Sequence, residues 1–537
     1  MNLIAAFDGA VRKHSDKTFL RSGDVSISYG EMKARSHLAA AVLAEAGVGP
    51  GDAVALMCFN TPEFVDALLG AWRLSAIVVP VNHKLQAPEL EYILRHSGAK
   101  VLVFDASLAD VVSDADAQAR PLSTGGKTRF DSFDDKMRQA GQLVGTEPDD
   151  DTIAEILYTS GTTGRPKGCV LTHRSVTLAA ITVALALSIT REERTLIAMP
   201  IWHSSPLNNW FAATMYVGRT VVLIREYNPL AFLETVQRER ITFYFGAPVS
   251  YTAPLQLDVF DTFDLSSVRA WLYGGGPISA DLAKRLATSY RSDRFYQVYG
   301  MTETGPVGTA LYPEEQQLRA GSIGRNAMPG VDLRVVRADG SDAVRGETGE
   351  IWMRTDSMMS GYLNDKDATN AAFENGNWYR TGDVARLDDD GYLFIVDRLK
   401  DMIITGGENV YSKEIEDILS GHPAVAEVAV YGIPHRDWGE TVVAAIVPKV
   451  RHVLNADDVR EYLWSVGWPN SRYHARSTSS SDCPERQQAK SRSICCDSSG
   501  PGGSWILPRK QSGSDARTYT VSRSLGWRVL FTSYDVF

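Results

Sequence analysis

The stretch Ile156–Ser175, "ILYTSGTTGRPKGCVLTHRS", decides how the rest of the chain is read. An apolar, strand-like run leads straight into a loop of hydroxyls, glycines and one lysine. A Walker A loop needs glycine, four residues, Gly-Lys and then Ser/Thr, so that amides, ammonium and hydroxyl hold phosphate and Mg2+. Counted from Gly161, the second glycine position holds Pro166, and Gly168 follows Lys167, so the loop is of another kind. Its inventory still suits phosphate. Thr159, Ser160, Thr162 and Thr163 offer hydroxyl donors, Gly161 and Gly164 permit close backbone approach, and Lys167 adds charge. By composition alone, a polar surface turn fits as well.

Outward from the loop, the chain alternates helix and strand. Residues 30–50 have helical spacing and stop at Gly47; "DAVALMCFN" (52–60) reads as a short buried strand. Thr61-Pro62 then opens a helix that runs into the strand "AIVVPVN", and residues 84–104 repeat the plan. Such alternation predicts an α/β fold with at least partly parallel sheets. Residues 387–397, "LDDDGYLFIVD", read as a hairpin about an Asp-Gly turn. Beyond Arg398 comes a small α+β pattern: helix "KEIEDILSGH", then strands "AVAEVAVYGIP" and "ETVVAAIVPK". The expected organisation is a large multi-layer domain of parallel and mixed sheets over 1–397, a small α+β domain begun over 398–462, and an aberrant tail over 463–537.

Composition narrows the function classes. A chain of 537 residues exceeds one ordinary domain. A net charge of −10 argues against nucleic acid as partner. No apolar run approaches a membrane span, and the N-terminal "MNLIAAFDGAVRKHSD" lacks the apolar core of a signal peptide. Two of the five cysteines, Cys58 and Cys169, stand isolated, so no disulfide framework is expected and a cytoplasmic setting fits.

"YTSGTTGRPKG" closely resembles the signature loop of the adenylate-forming superfamily, and further matches follow in that family's order. They are "PIWH" (200–203), "YGGGPIS" (273–279), "VYGMTETGP" (298–306), "GETGEIWMR" with "SGYLND" (346–365), "YRTGDVARLDDDGYLFIVDRLKDMIITGGENVYSKEIE" (379–416) and "YGIPHRDWGE" (431–440). The resemblance covers about residues 1–460, and its details are closest to the acyl-CoA synthetase branch. It implies two steps: a carboxylic acid attacks Mg·ATP to give acyl-AMP, and coenzyme A then displaces AMP. By resemblance, Thr159 to Lys167 grip the β- and γ-phosphates, Thr302 the α-phosphate, and Glu303 ligates Mg2+. Asp383 takes the ribose with Arg398 beside it. Tyr299 stacks near adenine, next to Gly300, and Gly274, Gly275 and Gly276 line the adenine and acyl pockets. His203 gates the acyl pocket. Lys400 occupies the hinge about which the small domain turns between half-reactions, and Gly406 and Gly407 leave room for the pantetheine arm. Trp202, Asn208, Asn209, Trp210, Tyr251 and Trp271 are candidates for the edge of the acid pocket. A medium- or long-chain fatty acid is the first expectation for the substrate, with an aryl or small acid, or a pseudoenzyme that only binds nucleotide or acyl group, as alternatives.

The family pattern breaks near the end. Where the resemblance demands a Gly-Lys whose lysine serves adenylation, the chain reads "SVGWPNSRYHARSTSSSDCPERQQAKSRSICCDSSGPGG", disordered by composition. Two accounts are open, a genuine lineage-specific tail and a shifted reading frame, and the codons the second requires favour it. Asp482–Ser491 can be encoded gat tgc ccc gaa cgg caa cag gca aag tcc; read two nucleotides on, this gives Leu-Pro-Arg-Thr-Ala-Thr-Gly-Lys-Val. Val466–Arg472 permits Trp-Leu-Ala-Lys-Phe-Pro in the same frame, which places the slip near residues 463–466. The chain is therefore expected to lack the adenylation lysine and to form acyl-AMP poorly.

Overall fold

The computed structural model describes residues 1–466, except 117, 144, 160–164, 190–193, 277, 375–376, 406–407, 436–438, 450, 451 and 453, together with 529–532. The chain divides into two compact units, Met1–Ile395 and Val396–Phe537.

Three sheets build the first unit. In the eight-stranded sheet the strands run Gly308–Leu311, Phe295–Gly300, Ala270–Tyr273, Phe243–Gly246, Arg194–Ile197, Thr220–Leu223, Thr18–Ser22, Val25–Ser28. All neighbours are parallel except the pair at each edge. The seven-stranded sheet runs Gly361–Tyr362, Lys167–Thr172, Ile153–Thr159, Ile77–Pro80, Ala53–Met57, Ala99–Asp105, Arg120–Thr124. Its first two pairings are antiparallel and the other four parallel. The third sheet is built around Val331–Val336, Thr348–Thr355 and Trp378–Leu387 in antiparallel register. The α/β architecture with parallel and mixed sheets is thus as expected.

Local sequence explains the elements. Ala53–Met57 is buried at every position, as a central parallel strand covered on both faces must be. Helix Tyr29–Glu45 starts at a capping box of Ser28 and Glu31. Helix Pro62–Arg73 opens with the proline at its first position, although Thr61 makes no side-chain cap. Helix Ala87–Ser97 ends at Gly98 in the left-handed region. The helices at 29–45 and 62–73 pack so closely that a Cβ on Gly70 would meet the Cβ of Ala39 at 2.6 Å. Trp72, from the second of them, donates its indole N–H to the Ala154 carbonyl at 3.0 Å and so fixes the strand that leads to the loop.

The second unit carries an antiparallel sheet ordered Glu408–Val410, Ile403–Thr405, Gly439–Pro448, Val425–His435. Helices Ser412–Ser420 and Ala456–Ser465 belong to it. Ile403, Ile415, Leu419, Val442, Ile446 and Val459 form its core. Of the tail expected to be disordered, residues 529–532 are described: this β-branched and aromatic run pairs antiparallel with Gly439–Pro448. Among the described residues no helix is long and apolar enough to cross a membrane.

Candidate active site

The strands Ile153–Thr159 and Lys167–Thr172 are antiparallel, and Thr159 faces Lys167 in register. The signature loop is therefore the connection of a hairpin, with its first hydroxyl and its lysine held side by side. Ser160, Gly161, Thr162, Thr163 and Gly164 lie outside the described residues. Lys167 sets its ammonium 4.9 Å from the centroid of the Tyr362 ring, a cation–π contact.

That tyrosine also reaches the acidic centre of the site. Its hydroxyl donates to Glu303 Oε1 at 3.1 Å, and Tyr379 brings a second phenol within 3.4 Å of the first. Burial, with the nearby Glu303 charge next in weight, holds both phenols well above the ordinary tyrosine range, so they stay protonated and serve as donors. The same two causes push the thiol of Cys169 up, and that cysteine is sealed in the core. Glu303 sits in a single 3-10 turn, Thr302–Thr304, closed by Gly305 in the left-handed region. A side chain at Gly305 would meet the Ser357 carbonyl at 2.2 Å. Thr304 bonds the Val307 carbonyl at 2.6 Å, and Ser357 bonds the Thr304 carbonyl at 2.9 Å, so the turn is fixed from within.

Thr302 meets Ser204 hydroxyl to hydroxyl at 2.9 Å. Ser204 follows His203 and opens the segment Ser205–Phe211, which winds as a π-helix. His203 is exposed, and desolvation by the protein around it lowers its pKa.

Tyr299 and Asp383, 84 residues apart, are joined: the phenol donates to Asp383 Oδ2 at 2.7 Å. Asp383 is buried, and its backbone N–H donates to Thr381 Oγ1. Glu350 holds the same motif in place, accepting from the Gly382 N–H, Arg380 Nε and Trp352 Nε1. Gly274 and Gly300 are required by space. A Cβ on Gly274 would meet the Val298 carbonyl oxygen at 2.6 Å, and one on Gly300 the Pro306 oxygen at 2.4 Å. Gly275 takes a φ of +72°, and Gly276 lies beside Pro248.

In the second unit Arg398 and Lys400 are exposed, and Lys400 lies in the turn after strand Leu393–Arg398. Gly406 and Gly407 lie outside the described residues. Sequence reading missed Asp397, which is buried. Its carboxylate accepts the Ser412 N–H at the start of the following helix, as well as the Ser412 hydroxyl and the Arg398 N–H.

Five of the six candidates for the acid pocket's edge are buried. Tyr251 and Trp271 are locked in an aromatic core cluster with Tyr244, Tyr290 and Phe295, and the Tyr251 hydroxyl bonds the Leu272 carbonyl. Asn208 and Asn209 are sealed and bonded to Glu155 and to the Pro306 carbonyl. Trp210 is buried against Phe245, whereas Trp202 is partly exposed and donates to His83 Nδ1 at 3.1 Å.

Among the described residues no three His, Cys, Asp or Glu side chains gather to cage a metal. A single carboxylate ringed by hydroxyls suits Mg2+ brought in on substrate phosphates, because that ion keeps several non-protein ligands.

Comparison with known proteins shows the family. The AMP-binding enzyme family matches residues 7–363, and the AMP-binding enzyme C-terminal domain matches residues 414–466. A feruloyl-CoA synthase from Amycolatopsis sp is 37% identical over 455 residues, 83% of this chain and 88% of that protein. The long-chain-fatty-acid–CoA ligase FadD13 of Mycobacterium tuberculosis is 38% identical over 443 residues, 82% of this chain and 87% of that one. The crystal structure of the anthranilate CoA ligase AuaEII in complex with anthranoyl-AMP superposes with a TM-score of 0.79 at 26% identity, covering 87% of this chain and 90% of that chain. The chain belongs to the AMP-binding enzyme family and is, like these relatives, an AMP-forming ligase that makes carbon–sulfur bonds.

Proposed function

We propose that the chain joins a medium- or long-chain fatty acid to coenzyme A through an acyl-AMP intermediate. The observation that carries the nucleotide half of this reading is the convergence of Lys167 and Glu303 on one tyrosine, Tyr362, beside a turn whose Thr302 hydroxyl is held by Ser204, and the fatty acid half is supported by the likeness to the fatty acid ligase. Cationic, hydroxyl and carboxylate groups placed together suit a polyphosphate and its counter-ion. Thr159 to Lys167 bind the β- and γ-phosphates and Thr302 the α-phosphate. Asp383 accepts from the ribose hydroxyls while Tyr299, tied to it, lies against adenine between Gly274–Gly276 and Gly300. Glu303 holds Mg2+, which supplies charge neutralisation when two anions approach.

A carboxylate oxygen of the acid attacks the α-phosphorus, and the bond to pyrophosphate breaks. The coenzyme A sulfur, having given up its proton to solvent, then attacks the acyl carbon, and the acyl–phosphate bond breaks to release AMP. His203, held neutral, moves aside without displacing a charge. In the second unit Arg398 is assigned to the ribose, Lys400 to the hinge, and Gly406 and Gly407 to the thiol's path. The aryl-acid reading is favoured by the feruloyl-CoA synthase, whose identity to this chain nearly equals that of the fatty acid ligase. Consumption of free coenzyme A thiol measured across palmitate, octanoate, ferulate and benzoate separates the two.

We also assign to this chain a defect in its first step. Support comes from the family match, which stops at residue 466, where the reading frame is inferred to slip. ATP–pyrophosphate exchange should be severely reduced, while thioester formation from supplied acyl-AMP persists. Exchange at the rate of a chain with the Gly-Lys segment restored would refute this.

A further inference from the structure

The strand that leads into the signature loop carries a carboxyl with no part in the reaction above. Glu155 is fully buried, four residues before Thr159. Strand alternation puts 155, 157 and 159 on one face. Asn208, also fully buried, donates Nδ2 to Glu155 Oε1 at 2.5 Å. The other two atoms of the pair, Glu155 Oε2 and Asn208 Oδ1, are both acceptors, and neither has a donor among the described residues. A hydrogen on Oε2 would turn one of these two acceptors into a donor for the other.

Asn208 belongs to the π-helical segment Ser205–Phe211, a winding that is rare and needs side-chain support. Three ties hold it. Ser204 bonds Thr302, and Asn209 Nδ2 bonds the Pro306 carbonyl at 2.9 Å, so two ties run to the chain that carries Glu303. The third, through Glu155, runs to the strand of the signature loop. We propose that Glu155, un-ionised and paired with Asn208, is a positioning residue that locks this segment to the signature-loop strand and so fixes where Ser204 meets Thr302. The effect on nucleotide rests on the reading of Thr302 as a phosphate contact.

The surroundings favour the un-ionised form. Burial raises the Glu155 carboxyl to about 7, against which the Asn208 bond is the weaker influence. Among the described residues no charged group offsets it: the register partners are Val78 on one side and Leu171 on the other, and the π-helical segment brings the amide. Helix His173–Ala186, which packs on both elements, carries His173, buried and held neutral by desolvation, and Arg174, exposed and paired with Asp151.

The test uses the full chain, with Mg·ATP as probe in isothermal titration and infrared spectroscopy of the carboxyl groups. At pH 6 the wild type should show an un-ionised carboxylic acid band that Glu155→Gln removes. Glu155→Gln, which retains a partner for Asn208, should bind ATP within about twofold of wild type and lose the decline in affinity that the wild type shows as pH rises from 6 to 8. Folded Glu155→Leu, which strands a buried amide, should bind about tenfold more weakly, the lower end of what an unpaired buried polar group costs. Wild-type affinity in folded Glu155→Leu, or an unchanged pH dependence in Glu155→Gln, overturns the proposal. Should Glu155→Leu not fold, the Glu155→Gln and infrared arms still decide it. If the wild type binds no ATP at any pH, the functional reading fails instead, and loss or persistence of the infrared band on Glu155→Gln alone decides the pair.

Discussion

Replacing Asp383 by asparagine tests the assignment of the ribose. The carboxylate is buried and takes the Tyr299 phenol at 2.7 Å, a short bond of the charge-assisted kind. Asparagine fills the same space and keeps one acceptor, to which the phenol can still donate, so the unit's stability should change by less than about 1 kcal/mol. For two ribose hydroxyls the exchange is harsher. One charged acceptor becomes a neutral acceptor and the other becomes a donor that opposes them. Losing one charge-assisted bond costs about 1.5–3 kcal/mol, or about ten- to a hundredfold in ATP affinity. The assay is isothermal titration of wild type and Asp383→Asn with ATP and with 2′,3′-dideoxy-ATP. The substitution should cost affinity for ATP and almost none for the dideoxy nucleotide, since the affected hydroxyls are then gone. Equal losses for both nucleotides would refute the ribose contact and leave Asp383 as a support for Tyr299 alone.

Three further outcomes are expected. Tyr362→Phe keeps the ring beneath Lys167 but removes the donor to Glu303, so Mg-free ATP binding should hold while the Mg2+ needed for tight binding changes by about tenfold; Tyr362→Leu should weaken both, as titrations with and without chelator will show. His173 is buried with its pKa brought down from 6.5 to about 4, so the unfolded chain binds the extra proton first and stability is lost as pH falls from 6.5 to 4. That loss is on the order of 3 kcal/mol, and His173→Gln should flatten it in urea unfolding across this window. Gly300→Ala must push its Cβ against the backbone of Pro306 and Val307, so a melting point lowered by several degrees and weakened ATP binding are expected, the former by differential scanning fluorimetry.

Local signals were legible and pairings were not. The capping box at Ser28, the proline at 62 and the left-handed Gly98 depend on neighbours in sequence, and the elements they bound follow the expected plan. The motifs marked Glu303, Thr302 and Asp383 as separate points. What ties each of them into the fold are contacts across long spans, Tyr362 to Glu303, Ser204 to Thr302 and Tyr299 to Asp383, and no spacing rule encodes those. Tyr362, Tyr379 and Glu350 stood inside quoted motifs, yet a tyrosine in a glycine-rich motif reads as packing until its partner is seen.

The aromatic positions fail for a different physical reason. In "AWLY", Ala270–Tyr273, all four residues are buried, so the two-residue period that separates pocket from core carries no contrast. Trp271 and Tyr251 therefore fit the acid pocket on paper, although the fold spends them on the core. Glu155 shows the converse. A lone carboxyl in "IAEILYT" is improbable in a strand buried on both faces unless a partner meets it, and that is visible in the sequence. The partner's identity is not, because Asn208 is 53 residues away and turned toward Glu155 by a single irregular turn of helix. A regular α-helical reading of 205–211 would rotate each side chain by a different amount and lose the register. The position of the acid–amide pair is thus set by an element whose period departs from 3.6, and sequence periodicity is least informative there.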